Sequence, residues 1–239
     1  MTTDDSRNAF TAILSGDLDE LQALLARHPD LPSWTLGPPG RGRRPLHVVT
    51  DWPGYFPNGP RIAELLIAAG AEVDWRGEDG TGETPLHWAA SSDDAAVARV
   101  LIDAGADIEA PDGSIGTPLD NAVGYGCWSV ARLLVDSGAR VDKLWQASAL
   151  GLLDRLQELL DAGPPQDEID QAFWHACGGG QRRAAELLLA HGADLAYSPE
   201  YAYGTALDAA SGHGTQRGNV IEWLEGLGVR REAESTPPG

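Results

Sequence analysis

Apolar residues recur along this chain at the spacing of one helical face, in short runs that end at glycine. Val97, Val100, Leu101 and Ile102 form one stripe ahead of Gly105-Ala106, Val130, Leu133 and Leu134 a second ahead of Gly138-Ala139, and Leu187 and Leu188 a third ahead of Gly192-Ala193. Recurrence at i, i+3 and i+4 predicts short amphipathic helices whose apolar side is core. The glycine after each run predicts a helix end in the left-handed conformation that a Cβ resists. Upstream of the first two stripes lie Ala-rich segments that open Thr84-Pro85-Leu86-His87 and Thr117-Pro118-Leu119-Asp120, thirty-three residues apart. Proline suits the first helical turn, where its missing N–H costs nothing, and the preceding threonine is placed to cap. The pattern therefore predicts pairs of helices, repeated.

Partial copies flank the two clear ones. Arg44-Pro45-Leu46-His47 leads to Leu65-Leu66-Ile67-Ala68-Ala69-Gly70-Ala71, and Gln171-Ala172-Phe173-Trp174 leads to Leu187-Leu188-Leu189-Ala190-His191-Gly192-Ala193-Asp194. Units of this length bury their apolar faces only against neighbours, so the period predicts a solenoid. The Thr-Pro-Leu-His opening, the paired leucines and the Gly-Ala-Asp ending resemble the ankyrin repeat. The resemblance implies an all-α solenoid of about seven helix-turn-helix units with short β-hairpin-like loops, as one domain over residues 1–239. Its units are a capping unit at 8–36, repeats at 37–76, 77–110 and 111–143, a compressed unit at 144–166, a repeat at 167–200 and a capping unit at 201–231. A tail of disordered composition follows at 232–239.

Composition changes this picture little. The chain has 239 residues, 42% hydrophobic and 22% charged, enough for a core without metal or disulfide support. No run reaches transmembrane length, and the acidic start Met1-Thr2-Thr3-Asp4-Asp5 is unlike a secretory signal, so a cytoplasmic monomer is expected. Lys143 is the only lysine among many arginines, a usage that points to a GC-rich, bacterial genome. Cys127 and Cys177 lie in units too distant for a disulfide and read as buried thiols. The net charge of −19 argues against nucleic acid or an anionic membrane as partner and leaves a neutral or basic protein or peptide.

In ankyrin-like stacks, hairpin tips and the first helices form a concave groove. Carried over by position, that geometry points Asp51, Trp52, Ser91, Ser92, Gly124, Tyr125, Gly178, Gly179, Gly212 and His213 into it. Trp52 opens a Pro- and Gly-rich insertion that also holds Tyr55 and Phe56, whose rings need burial or a ligand. Trp75 and Arg76 lie near one hairpin arm, and Tyr197, Tyr201 and Tyr203 form an aromatic finger near another. Exposed Trp and Tyr are frequent binding hot spots. Trp88, Trp145, Trp174 and Trp223 read as core by their helix positions, while Trp34 and Trp128 stay open. The candidate partner-binding residues are Asp51, Trp52, Tyr55, Phe56, Trp75, Arg76, Ser92, Tyr125, Tyr197, Tyr201, Tyr203 and His213.

An enzymatic reading is weaker. The resemblance makes His47 and His87 motif histidines that bond neighbouring turns, replaced by Asp120 and Asp208 elsewhere and by Trp145 and Trp174 in the compressed and sixth units. Successive repeats about 10 Å apart hold such groups too far from one another for direct hydrogen bonding. The chain has no GxSxG elbow, P-loop, HExxH or CxxC, and the carboxylate pairs Glu78-Asp79 and Asp93-Asp94 read as solvated loops. No cofactor or metal is implied. The reading is a non-catalytic interaction scaffold; the alternative is a small-molecule carrier or unusual enzyme with an aromatic pocket beside His and Asp.

Overall fold

The computed structural model describes residues 3–37, 43–76, 82–202, 204–212 and 217–231. Among them fourteen α-helices form seven consecutive pairs: α1 (Thr3–Ser15) and α2 (Leu18–Arg27), α3 (Pro45–Thr50) and α4 (Gly59–Ala68), α5 (Pro85–Ser92) and α6 (Ala95–Asp103), α7 (Pro118–Gly124) and α8 (Trp128–Asp136), α9 (Leu144–Leu150) and α10 (Leu153–Asp161), α11 (Gln166–Gly178) and α12 (Arg182–Ala190), and α13 (Ala206–Ala210) and α14 (Gly218–Gly226). The fold is the all-α ankyrin-type repeat that the Thr-Pro openings and glycine endings predict.

The helix ends follow from their residues. Asp120 Oδ2 accepts the Thr117 N–H at 2.8 Å, and the Asp120 N–H reaches Thr117 Oγ1 at 3.3 Å, a reciprocal box that satisfies two orphan donors of α7. At the other end of the pairs, Gly105 and Gly192 have φ of +89° and +90°, where any Cβ would be strained. One backbone bridge, in which Leu36 and Arg43 exchange N–H···O bonds at 2.8 Å, marks the arm of a hairpin-like connection before α3.

Contacts gather into two compact units, residues 1–139 and 140–239. In the first, α1, α3, α5 and α7 pack in succession as one layer and α2, α4, α6 and α8 as a second. Its core includes Leu21, Leu24, Leu46, Ile62, Leu66, Leu86, Val97, Leu101, Val130 and Leu134, all buried. Val100 and Ile102, which share the predicted stripe with Leu101, are only half-buried, so the stripe is narrower than its sequence. In the second unit α9, α11 and α13 form one layer, with α10 against α12. Phe173 is fully buried at the centre of its core, among Leu156, Ala172, Cys177, Leu188 and Leu224. Trp34 is buried; Trp88, Trp128, Trp145, Trp174 and Trp223 are half-buried. Cys127 and Cys177 are free, buried thiols.

The compressed unit corrects one expectation. Its motif position falls to Gln146 rather than Trp145: Gln146 Oε1 accepts the N–H groups of Asp142 and Lys143, each at 3.1 Å. One residue fewer separates its two helix caps, Lys143 and Leu152, than separates Thr84 and Asp94 in the third unit, so counting back from the second helix lands one residue short.

Candidate partner-binding surface

The motif side chains are engaged inside the stack. His87 Nδ1 accepts the Thr84 N–H at 3.1 Å, which places the proton on Nε2, and Nε2 donates to the Gly116 carbonyl at 3.1 Å. Burial holds its pKa below the ordinary histidine value, so this imidazole stays neutral. His47 Nε2 meets the Glu83 carbonyl at 3.2 Å, and the Trp174 indole N–H donates to the Gly204 carbonyl at 3.1 Å. Glu83, Gly116 and Gly204 each precede a cap threonine, so His47, His87 and Trp174 each fasten the entry of the repeat that follows. Asp120 and Asp208 instead close boxes on Thr117 and Thr205 of their own helices.

At the N-terminal end of α3 the predicted residues form a self-contained cluster. The Arg44 guanidinium lies 4.3 Å from the Trp75 ring centre and pairs with Glu72 at 2.7 Å. The His47 ring stands edge-on to Trp75 and to Trp88, at 5.3 and 5.0 Å, and Arg43 covers Trp88 at 4.9 Å. Asp51 pairs with Arg43. Arg76 donates to the Gly82 and Pro111 carbonyls at 2.9 and 2.8 Å and lies 3.6 Å from Asp112. These groups already have partners within the protein. Ser92 is buried, its hydroxyl 3.1 Å from the Thr50 carbonyl and 3.0 Å from that of Trp88, and Phe56 is half-buried.

The connections between paired helices are different. Trp52 is 79% exposed, Tyr55 64% and Tyr125 55%, yet the tyrosines are held. The Tyr55 N–H donates to Asp94 Oδ2 at 2.9 Å and its hydroxyl to the Asp93 carbonyl at 2.6 Å. Asp94 also caps α6 through the Val97 N–H at 3.1 Å. Asp93 Oδ1 accepts the N–H groups of Ser129 and Val130 at 2.9 and 3.0 Å, capping α8, where the N-cap residue is Cys127 and gives no side-chain cap. Three successive inter-helix connections are thereby tied side by side. Tyr125 follows α7, with its hydroxyl 3.2 Å from Ser114 Oγ, and Ile115 covers Gly124 so closely that a Cβ there would come within 2.4 Å of its Cδ1. Trp52 and Tyr55 thus follow the C-terminal end of α3, whereas Trp75 packs against Arg44 and His47 at the start of that helix.

In the second unit, Tyr201 is 62% exposed and fixed by two hydrogen bonds. Gln171 Nε2 donates to its hydroxyl at 2.9 Å, and that hydroxyl lies 3.0 Å from His175 Nε2. The Trp174 ring meets Tyr201 edge-on at 6.5 Å, and Trp145, His175 and Tyr201 run as successive rings, 5.0 and 6.3 Å between centres. His175 was not among the residues that the sequence singled out. Its buried ring has its pKa lowered to about 4 by desolvation. Tyr197 is half-buried, and burial together with the carboxylates of Asp170, Asp167 and Glu200 raises its phenol above the ordinary value. Tyr203 and His213 lie outside the described residues.

Three open clefts of this unit, of about 580, 510 and 290 Å³, are lined without an aromatic ring or a histidine. Among the described residues no three His, Cys, Asp or Glu side chains group as a metal ion would need, and no helix is long and apolar enough to cross a membrane.

Residues 54–143 match the family model described as ankyrin repeats, three copies. A 99-residue stretch is 38% identical to the mouse (Mus musculus) RelA-associated inhibitor, covering 41% of this chain and 11% of that protein. The crystal structure of the human ASB11 ankyrin repeat domain superposes with a TM-score of 0.55 at 23% identity, over 97% of this chain and 99% of that one; at this identity the likeness concerns the fold.

Proposed function

We propose that this chain, whose residues 54–143 match the ankyrin repeat model, is a non-catalytic scaffold that captures a protein or peptide, with Trp52, Tyr55 and Tyr125 as the anchoring side chains of its first unit. One observation carries the reading: large rings stand in solvent on connections that hydrogen bonds hold in place, Tyr55 by Asp93 and Asp94 of the next repeat and Tyr125 by Ser114 of its own. A ring fixed before binding loses little conformational freedom on contact, and Trp and Tyr dominate interface energetics. The mouse relative is named for its association with another protein, in keeping with this reading. The charge of −19 favours a neutral or basic partner, and a cytoplasmic monomer belongs to the same proposal.

The enzymatic alternative draws less support from its motif histidines. His47 and His87 are buried with their Nε2 atoms on backbone carbonyls, and the clefts described above contain neither.

The test is capture from native lysate by the full chain and by the double variant Trp52→Ala/Tyr125→Ala. The proposal expects loss of a specific partner with a melting temperature near that of the parent, since exposed substitutions usually shift stability by about 0.5 kcal/mol or less. Undiminished capture by the variant rules the surface out.

A further inference from the structure

Tyr201 has two properties that seldom coincide, exposure of 62% and a hydroxyl bonded on both sides. Exposed tyrosines ordinarily reorient; this one is held by Gln171 and His175 and backed by the rings of Trp174 and His175. The structure thus presents a preorganised aromatic surface.

The sequence on either side of it is acidic. Between Arg155 and Arg182 the sequence has Glu158, Asp161, Asp167, Glu168 and Asp170 but no Lys or Arg, and between Arg183 and Arg217 it has Glu186, Asp194, Glu200 and Asp208, again with no Lys or Arg. The chain also seats its own cations on rings. Arg44 covers Trp75 at 4.3 Å, Arg43 covers Trp88 at 4.9 Å, and Lys143 and Arg182 lie 5.6 Å from Trp145 and Trp223. Arginine is suited to such a seat because its planar guanidinium stacks on a ring and is weakly hydrated.

We infer that Tyr201, with Tyr197 beside it and the carboxylates of Asp170, Asp167 and Glu200 close to Tyr197, is the seat for an arginine side chain of the protein partner. This deepens the scaffold reading by giving the partner a chemistry: an arginine-bearing segment that stacks on Tyr201 while these carboxylates attract it. The rings select the planar cation, and the carboxylates steer it.

The experiment uses the full chain and a fluorescein-labelled peptide alternating glycine and arginine, with lysine and citrulline counterparts, read by anisotropy at low and physiological salt. The arginine peptide should bind several-fold more tightly than the lysine peptide, and the uncharged citrulline peptide should bind far more weakly than either. Tyr201→Ala should lower arginine-peptide affinity roughly ten-fold with no change in net charge. Tyr201→Leu keeps apolar bulk without an aromatic face; it should lose the arginine-over-lysine preference even if the alanine variant unfolds. Equal binding by parent and leucine variant, or equal binding of arginine and lysine peptides, overturns the seat and leaves attraction by net charge alone. The Trp52→Ala/Tyr125→Ala protein should bind the peptide normally, so failure of the first-unit surface and failure of this seat are told apart.

Discussion

The Trp174 indole nitrogen stands 3.1 Å from the Gly204 carbonyl and holds the place that the His87 Nε2 holds 3.1 Å from the Gly116 carbonyl. Two different rings thus make the same inter-repeat bond, one from the first turn of α5 and one from the third turn of α11. Gly204 also accepts the Ser198 hydroxyl at 3.0 Å, so its carbonyl keeps one partner when the other is removed. Trp174→Phe should therefore destabilise the chain by about 1 kcal/mol, the net value of a single hydrogen bond, rather than by the larger cost of an orphaned buried group. Urea unfolding measures this. An unchanged midpoint would mean that the indole contributes packing alone.

Asp93 supplies the cap that α8 lacks. Its backbone is left-handed, with φ of +56°, so Asp93→Ala would mix strain with loss of the cap. Asp93→Gly relieves the strain and isolates the carboxylate, and it should cost about 1 kcal/mol; Asp93→Asn, which keeps an acceptor and tolerates this backbone, should cost less. Adding Cys127→Ser gives α8 an oxygen at its own N-cap and should recover part of the loss. Strict additivity of the two substitutions in a double-mutant cycle would show that the two residues do not share the work.

The fold was legible because each repeat signal has a local physical cause: Thr117 before Pro118 caps, Gly105 turns, and Val97 with Leu101 faces the core. The compressed unit is legible only to within one residue, because the shortened connection between Lys143 and Leu152 leaves no mark in the apolar pattern and Gln146 resembles any polar helix residue. Candidate surface residues were legible by type but not by environment. Trp52 and Tyr125 are exposed as their loop positions imply, whereas Arg76, Asp51 and Ser92 are engaged by groups distant in sequence, Pro111, Arg43 and Thr50. His175 went unnoticed for the same reason, since its partner Tyr201 lies on another element.

The thiols offer a direct check on burial. Burial raises Cys127 to about 11, with Asp93 adding to the effect, and Cys177 to about 12, so thiolate is scarce at pH 8. An aromatic disulfide reagent at that pH should leave native protein nearly unmodified and label both thiols once urea is added. Rapid labelling of either in the native state would contradict its placement.

His175 makes stability depend on pH in a defined direction. The Tyr201 hydroxyl accepts from Gln171 and lies 3.0 Å from the His175 Nε2, and desolvation lowers the folded-state pKa of the histidine to about 4. The unfolded value is about 6.5, so between pH 6.5 and 4 the unfolded chain binds a proton that the native ring refuses. Stability contributed by this residue is complete above pH 6.5 and declines as pH falls, with a ceiling of about 3 kcal/mol near pH 4. His87, also lowered by burial, acts in the same direction. Replacing His175 by glutamine keeps a hydrogen-bonding partner for Tyr201 and removes the titration. Urea midpoints taken across this window should fall less steeply for His175→Gln than for the parent. Parallel curves would mean that the ring takes up its proton in the folded state as readily as in the unfolded one, and that the contact with Tyr201 is looser than the 3.0 Å bond implies.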